Sequence, residues 1–398
     1  VPTTDVVVAG LGGFGSATAA TLAARGHRVV GIDPRPGAHT EGASHGESRI
    51  VRQVYFEGAS YVPLLRRTYE LWPTLSRRDG SPMLRTTGGL FLGAPGTRVL
   101  EGSIATAREW DLDHEVLDAA EVAARFPAMQ PPAGTLALYE PHAGFVGPEE
   151  AVAAQLRRAV EHGADLHHDE ALVRWRADDV GVRVETTRTT YDAGALVLTP
   201  GRWTADLLGG LELPVVVERR MQRWFRPPDP SPFHADRLPV WIWDLADGTS
   251  LYGAPAAGPR ADDVKAAVHF STTRPPADWS PQQVADVLAQ LFPRLGSDQV
   301  REAECWYALT PDENFVVGRH PLADRVVLGC GFSGHGFKFT PVLGEVLSDL
   351  ATEGSTSYDL ALFDPGRFAG GVRLSDGLVE ERRDDPEEQV DAVDDRHV

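Results

Sequence analysis

Val6-Val-Val-Ala-Gly10-Leu-Gly12-Gly13-Phe-Gly15 is a short apolar run that breaks into a glycine-rich turn. The residues that follow, Ser16 to Arg25, favour helix and stop at Gly26, a residue suited to a C-cap. His27-Arg-Val-Val-Gly-Ile32 then reads as a second strand closing on Asp33. Together these make a βαβ unit carrying GxGxxG. Gly10 permits the tight turn, Gly12 lets backbone approach a pyrophosphate, Gly13 extends the loop, and Gly15 lets helix and strand pack closely. The helix N-terminus offers amide donors and a positive dipole to phosphates. Asp33 lies 23 residues after Gly10, placed to accept from a ribose hydroxyl. The motif predicts a dinucleotide site without separating FAD from NAD, and the acidic residue disfavours NADP.

Working outward, the α/β pattern lapses and returns. A mixed stretch holds Thr87–Leu92 and a helix near Gly102–Trp110. Glu149–Gly163 reads as an amphipathic helix, followed by strands at Val182–Thr186 and Ala195–Leu198. Residues 216–303 are richer in strand and Trp signals, with one helix near Pro281–Phe292. The expected fold is α/β with two units. Segments 1–80, 145–215 and 304–370 would build a discontinuous Rossmann-like nucleotide domain. Segments 81–144 and 216–303 would build a mixed-sheet substrate domain. Residues 371–398 form an acidic tail expected to be disordered and without catalytic role.

The formal net charge of −19 argues against nucleic acid or anionic membrane as partner. No run of about 18 apolar residues is present, so no membrane span is expected. The early strand anticipates no signal peptide, and two cysteines, Cys305 and Cys330, suit a reducing cytoplasm. No metal site is expected.

Only two of the 38 basic residues are lysines, Lys265 and Lys338. Lysine is a compact charge whose pKa moves on burial, whereas arginine is a planar fork that stays charged. Lys338 sits in Gly331-Phe-Ser-Gly334-His335-Gly336-Phe337-Lys338, between a strand and a helix with Pro341 in its first turn. This second glycine nest needs an anionic client of its own, and the N1–C2=O edge of a reduced flavin fits. An exposed lysine on a glycine turn is the bland alternative. Val264-Lys265-Ala-Ala-Val268-His269-Phe270 alternates, so Lys265, Ala267 and His269 would share one face and Val264, Ala266, Val268 and Phe270 the other. Lys265 and His269 would lie about 13 Å apart along the strand. A solvent-facing polar edge fits that pattern equally. Cys305 alone reads as packing.

Several stretches beyond the glycine box carry a resemblance. They are His45-Gly46-Glu-Ser48-Arg49-Ile-Val-Arg52 with Tyr55 and Glu57, Cys305-Trp-Tyr307-x-x-Thr310-Pro-Asp-Glu313, and the 331–339 loop. From about residue 5 to 365 the chain resembles the monomeric sarcosine oxidase and N-methyltryptophan oxidase family of D-amino-acid-oxidase-like flavoenzymes. The resemblance implies FAD held covalently through an 8α-thioether to Cys305, with His45 and Arg49 against the isoalloxazine. Leu172, Gly334, Gly336 and Phe337 would complete the cofactor site. Arg52 and Lys338 would clamp the substrate carboxylate, while Glu57, Tyr252, Tyr307 and His269 would line the amine pocket. Lys265 would activate O2, the other catalytic residues being His269, Arg49 and Tyr307. Trp243, aligned with a pocket-lining methionine of the sarcosine enzyme, would narrow the site or lie in sheet core.

The implied activity is oxidation of a secondary amino acid to an imine, with O2 reduced to H2O2, by a cytoplasmic monomer. The alternatives are an oxidase of a cyclic imino acid or aromatic N-methyl amino acid, a flavin dehydrogenase with another acceptor, and a non-catalytic flavin-binding protein.

Overall fold

The computed structural model describes residues 1–257, 262–270 and 279–371. The acidic tail beyond residue 371 lies outside them. The opening strand, Thr3–Ala9, pairs in parallel with Val29–Asp33 on one side and Thr190–Leu198 on the other. Asp165–His168 extends the sheet beside Val29–Asp33. Thr190–Leu198 meets antiparallel Val182–Thr186 with its first half and parallel Ala323–Cys330 with its second. Strands from three distant parts of the chain therefore complete the first sheet.

Both faces of that sheet are buried, which explains the continuous apolar run. Val6 and Val8 pack against the helices Gly13–Ala24, Pro148–Glu161 and Thr340–Thr352. Val7 and Ala9 face a second cluster that includes Val182, Val184 and Tyr191. The Pro148–Glu161 helix opens with Pro at its first turn and Glu149 and Glu150 next to it, as the helix dipole favours.

The second sheet has eight strands. In order they are Gln299–Leu309, Val216–Phe225, Val264–Phe270, Ser250–Ala254, Val240–Asp244, Gly89–Gly93, Leu136–Glu140 and Glu115–Asp118. One face is a core of Trp241, Trp243, Leu251, Val264 and Ala266 under the helix Pro281–Leu291. A Ser280/Gln283 capping box starts that helix. The opposite face carries the polar and aromatic residues of the site. A small sheet of Arg49–Val51, Gly144–Val146 and Leu84–Thr86 lies across the expected boundaries at 80/81 and 144/145. Cys305 belongs to the second sheet, so that sheet ends after Leu309 and not at residue 303.

Two expectations about this sheet are corrected. The Val264–Phe270 strand is no solvent edge, since it pairs on both sides and both Lys265 and His269 are buried. Its alternation also fails at the end. Val268 pairs with Leu251 and Phe270 with Ser250, so His269 is an extra residue, a β-bulge. Phe270 is thereby turned to the side of Tyr252 and Ile242, with its ring 4.0 Å from that of His269.

Candidate active site

At the end of the first strand, Gly10 adopts φ +93°, and a Cβ there would stand 2.5 Å from the Thr199 carbonyl oxygen. A Cβ on Gly15 would lie 1.8 Å from the Gly10 oxygen, so the turn admits only glycine at both places. The Gly13–Ala24 helix follows with no side-chain cap from Gly12; the Gly13 amide donates to the Ser44 Oγ at 3.1 Å, and the dipole of this N-terminus suits an anion. Asp33 is buried beside this turn and accepts from the Leu11 and Arg35 amides. Each carboxylate oxygen can accept a second bond.

A cavity of about 480 Å³ opens here. Gly10, Gly12, Gly13, Asp33, Leu172 and Thr199 line it together with Cys305, Tyr307 and the Gly334–Lys338 loop. Gly334, at φ +78°, lets the loop touch Tyr307, because a Cβ would come within 2.2 Å of that ring. A cleft that reaches from a helix N-terminus to aromatic side chains of the second sheet fits an extended dinucleotide.

At the thiol end, Arg49 donates from Nη2 to the Cys305 Sγ at 3.5 Å and to the Ala43 carbonyl at 2.7 Å. Its Nη1 donates to the Ser48 carbonyl at 2.8 Å. The buried Cys305 sulfur thus lies within hydrogen-bond reach of a guanidinium. Nearby, the buried His269 Nδ1 and Tyr307 hydroxyl are 3.0 Å apart. The Tyr252 ring packs edge-on to the imidazole at 5.7 Å. Burial drives the His269 proton affinity well below its ordinary value, so this imidazole is neutral at pH 7.

Two cations flank the same wall. The Arg52 guanidinium lies 4.4 Å from the Tyr55 ring centroid and the Lys338 Nζ 4.8 Å from it. Arg52 donates from Nη2 to both Glu57 oxygens at 2.5 and 2.6 Å and from Nη1 to the Val54 carbonyl. Lys338 donates to the His335 carbonyl at 2.6 Å. Burial alone would raise the Glu57 carboxyl, but the Arg52, His335 and Lys338 charges outweigh it and hold the group at about 2. Burial, then repulsion from Arg52, pulls Lys338 down to about 7 against the attraction of Glu57. An incoming carboxylate would meet two cations with one counter-ion between them.

The family model for FAD dependent oxidoreductases, DAO, matches residues 5–350. The chain is 45% identical to the monomeric sarcosine oxidase of Streptomyces avermitilis over 92% of its own length and 98% of that protein's. The chain belongs to the DAO family of FAD-dependent oxidoreductases. It is also 32% identical to the N-methyl-L-tryptophan oxidase of Salmonella enteritidis PT4, over 92% of this chain and 99% of that one. Among solved structures it is similar to NikD, an unusual amino acid oxidase essential for nikkomycin biosynthesis. That match has a TM-score of 0.79 at 27% identity, covering 92% of this chain and 98% of the other. L-proline dehydrogenase from P. horikoshii shares the fold, with TM-score 0.79 at 22% identity over 93% and 99% of the two chains.

Four expected site residues of this DAO-family chain do not line the main cavity: Gly15, packed within the turn against Gly10, and Trp243, Lys265 and His45. Trp243 packs into the far core of the second sheet with Trp241 and Leu251. Its neighbour Ile242 lines the cavity instead. A one-residue step along a strand exchanges faces, so of the two readings left open for Trp243 the fold takes the sheet core. Lys265 is buried behind the cavity wall and donates from Nζ to the Gly46 and Ser48 carbonyls, both at 2.9 Å. Burial, then the Arg49 charge, lowers its proton affinity well below the ordinary lysine value. Two carbonyl acceptors leave one ammonium hydrogen for a further partner. His45 is buried beside a separate, second cavity.

Four supporting residues were assigned no role from sequence, and three of them, Glu149, Gln222 and Glu140, lie outside the quoted motifs. Glu149 accepts from the Gly46 amide at 2.5 Å and the Glu47 amide at 3.2 Å, and so holds the loop whose carbonyls meet Lys265. Gln222, fully buried, accepts from Arg49 at 3.4 Å. Glu140 accepts from the Gln53 and Val54 amides next to Arg52. His335 bonds to the Tyr55 hydroxyl and fixes the ring beneath both cations. Only the completed fold brings these partners together.

Proposed function

We propose that the protein is a monomeric FAD-dependent oxidase of N-methyl amino acids, with flavin attached covalently to Cys305 and H2O2 as a product. The observation that carries this reading is the juxtaposition in one cavity of the Arg49–Cys305 contact, the Arg52–Lys338 cation pair and the neutral His269–Tyr307 pair. The names of the sarcosine and N-methyltryptophan relatives support the same class. With Trp243 in the core and Ile242 in the wall, no indole narrows the chamber from this strand. Sarcosine is therefore the first substrate to test.

FAD, when bound, would supply a two-electron acceptor for oxidation of the substrate C–N bond. Arg52 and Lys338 hold the substrate carboxylate, and the Arg52 fork, already aligned by Glu57 and Val54, pre-sets its orientation. His269 is held through Nδ1 by Tyr307, which fixes its ring against the amine side of the chamber. Being neutral, it accepts or donates a single hydrogen bond without adding charge. Arg49, within hydrogen-bond reach of the Cys305 sulfur, would stabilise negative charge that develops there if flavin attaches. Lys265, held by the Gly46 and Ser48 carbonyls, would serve as a fixed donor where negative charge develops during O2 reduction. The balanced reaction with sarcosine is amine plus O2 plus water giving glycine, formaldehyde and H2O2.

Peroxide release should be measured with sarcosine, N-methyl aromatic amino acids, proline and pipecolate. The reading expects peroxide with an N-methyl amino acid. Release with proline or pipecolate alone would move the assignment to cyclic imino acids, and no release with any of them would end it. Acid-precipitated protein should keep its yellow colour in the pellet, and flavin found in the supernatant would remove Cys305 as the attachment point.

A further inference from the structure

Arg98 opens the helix Arg98–Glu109, which follows the Gly89–Gly93 strand of the second sheet. Its backbone is anchored, because the next amide, that of Val99, donates to the buried Asp244 carboxylate at 2.7 Å. The side chain donates from Nη2 to a Glu313 carboxylate oxygen at 2.8 Å. Glu313 sits in the turn between Gln299–Leu309 of the second sheet and Val316–His320 of the first. The ion pair therefore joins a helix of the second sheet to the turn that leads into the first.

The Arg98 guanidinium also lies 5.8 Å from the Phe56 ring centroid and 5.1 Å from that of Phe270. Both rings are chain neighbours of cavity residues, Phe56 preceding Glu57 and Phe270 following His269. The Phe56 ring has the buried Arg52 guanidinium 4.3 Å from its centroid as well. One ring is thus shared by the clamp arginine and by a half-exposed arginine outside it. Glu313 stands in the same relation to the other arm. Its backbone carbonyl accepts from His335 Nε2 at 2.9 Å, and the His335 carbonyl accepts from Lys338.

We infer that Arg98 is an outer binding station for the substrate carboxylate, which it takes up in exchange for Glu313 and passes to Arg52 and Lys338. This rests on the proposed reading of the cavity as a site for carboxylate-bearing amines. The two ion pairs differ as such a transfer requires. The Arg52 and Glu57 side chains are 2% and 4% exposed, and those of Arg98 and Glu313 are 51% and 20% exposed. The outer pair is screened by water and salt, so its partners exchange readily. A guanidinium carries five N–H donors in a planar fork, so a carboxylate can dock on Arg98 before Glu313 lets go.

The charge of the whole chain gives the station its purpose. The protein carries a formal net charge of −19. An amino acid with its amine neutral, the form that is oxidised, is an anion. The overall field opposes its approach, and a local cation on the outer side of the chamber offsets that repulsion.

Stopped-flow binding of methoxyacetate, a carboxylate without an amine, to the flavin-loaded enzyme provides the test, read by flavin absorbance. Arg98→Gln and Glu313→Gln break the same ion pair, yet the station predicts opposite signs. Arg98→Gln should lower the association rate constant about tenfold at low ionic strength. The difference should shrink at about 0.5 M salt, where charges are screened within a few ångströms. Glu313→Gln should raise the rate constant about threefold, because the competing carboxylate is gone. Arg98→Lys should restore most of the rate lost in Arg98→Gln. The limiting rate of anaerobic reduction at saturating sarcosine should hold in all three. Changes of the same sign in both Gln variants, a loss that ignores salt, or a fall in the limiting rate would overturn the station and leave the pair as a brace between the sheets. Should Arg98→Gln fail to fold, the sign of the Glu313→Gln effect decides. Enzyme that is reduced by sarcosine but whose association ignores both substitutions would remove the station and keep the oxidase reading. Enzyme that binds methoxyacetate with the expected charge dependence yet releases no peroxide would remove the oxidase reading and keep the station.

Discussion

Lys338 should make the proposed carboxylate clamp pH-sensitive in a range where sarcosine-like ligands can be measured. Its folded value of about 7 lies below the ordinary 10.5, through burial first and Arg52 second. The perturbation is a pH series with methoxyacetate, which carries the carboxylate of sarcosine but no amine. A carboxylate placed against Lys338 favours the charged ammonium, so binding raises the lysine pKa. At pH 8 the free site is only about one-tenth protonated, and binding should take up about 0.9 proton. The sign follows directly. Below pH 7 the ammonium is already present and affinity is flat. Above pH 7 each pH unit weakens binding about tenfold, or about 1.4 kcal/mol, until the raised pKa is reached. Titration calorimetry in two buffers of different ionisation enthalpy reads the proton count. Glu140, pushed up to about 7 by burial against its two backbone donors, titrates in the same window. Lys338→Met distinguishes the two groups, since it should abolish the proton uptake and weaken binding at pH 6.5. No uptake at pH 8, a Kd independent of pH from 7 to 9, or uptake that survives Lys338→Met would refute the reasoning.

Lys265→Met should slow reoxidation by O2 far more than anaerobic reduction by amine, and equal losses measured by stopped flow would reassign Lys265 to substrate binding. Trp243→Phe should lower stability by about 1–3 kcal/mol through the cavity left in the sheet core, read by urea unfolding, with the KM pattern across substrates unchanged. Ile242→Ala should do the reverse, shifting KM toward bulkier N-methyl amino acids, because this side chain faces the chamber. Glu149→Gln should leave Kd for methoxyacetate unaltered yet slow reoxidation, since it loosens the Gly46 carbonyl held against Lys265.

What the sequence disclosed tracks how local each signal is. The Val6–Asp33 unit was legible because strand, turn glycines, helix and terminal acid are contiguous, and each has its own steric reason. The Gly331–Lys338 loop was legible for the same cause. Trp243 was left open between pocket wall and sheet core because a strand buried on both faces gives no polar alternation to say which neighbour points to the cavity. Phe270 was misplaced because a single-residue bulge at His269 leaves no mark in composition. The roles of Glu149, Gln222 and Glu140 depend on partners between 86 and 173 residues away in sequence. Their burial and hydrogen bonding arise only when the chain closes on itself. Lys265 was singled out by its rarity, but its shielding behind the Gly46 peptide belongs to the fold.

The most direct test of the account is an anaerobic addition of sarcosine to the purified flavoprotein, followed by admission of air. The account predicts that the flavin absorbance bleaches without oxygen and returns with it, with one H2O2 and one formaldehyde formed per O2 consumed. Absorbance that stays bleached in air, or that never bleaches with sarcosine or any other N-methyl amino acid, would contradict it.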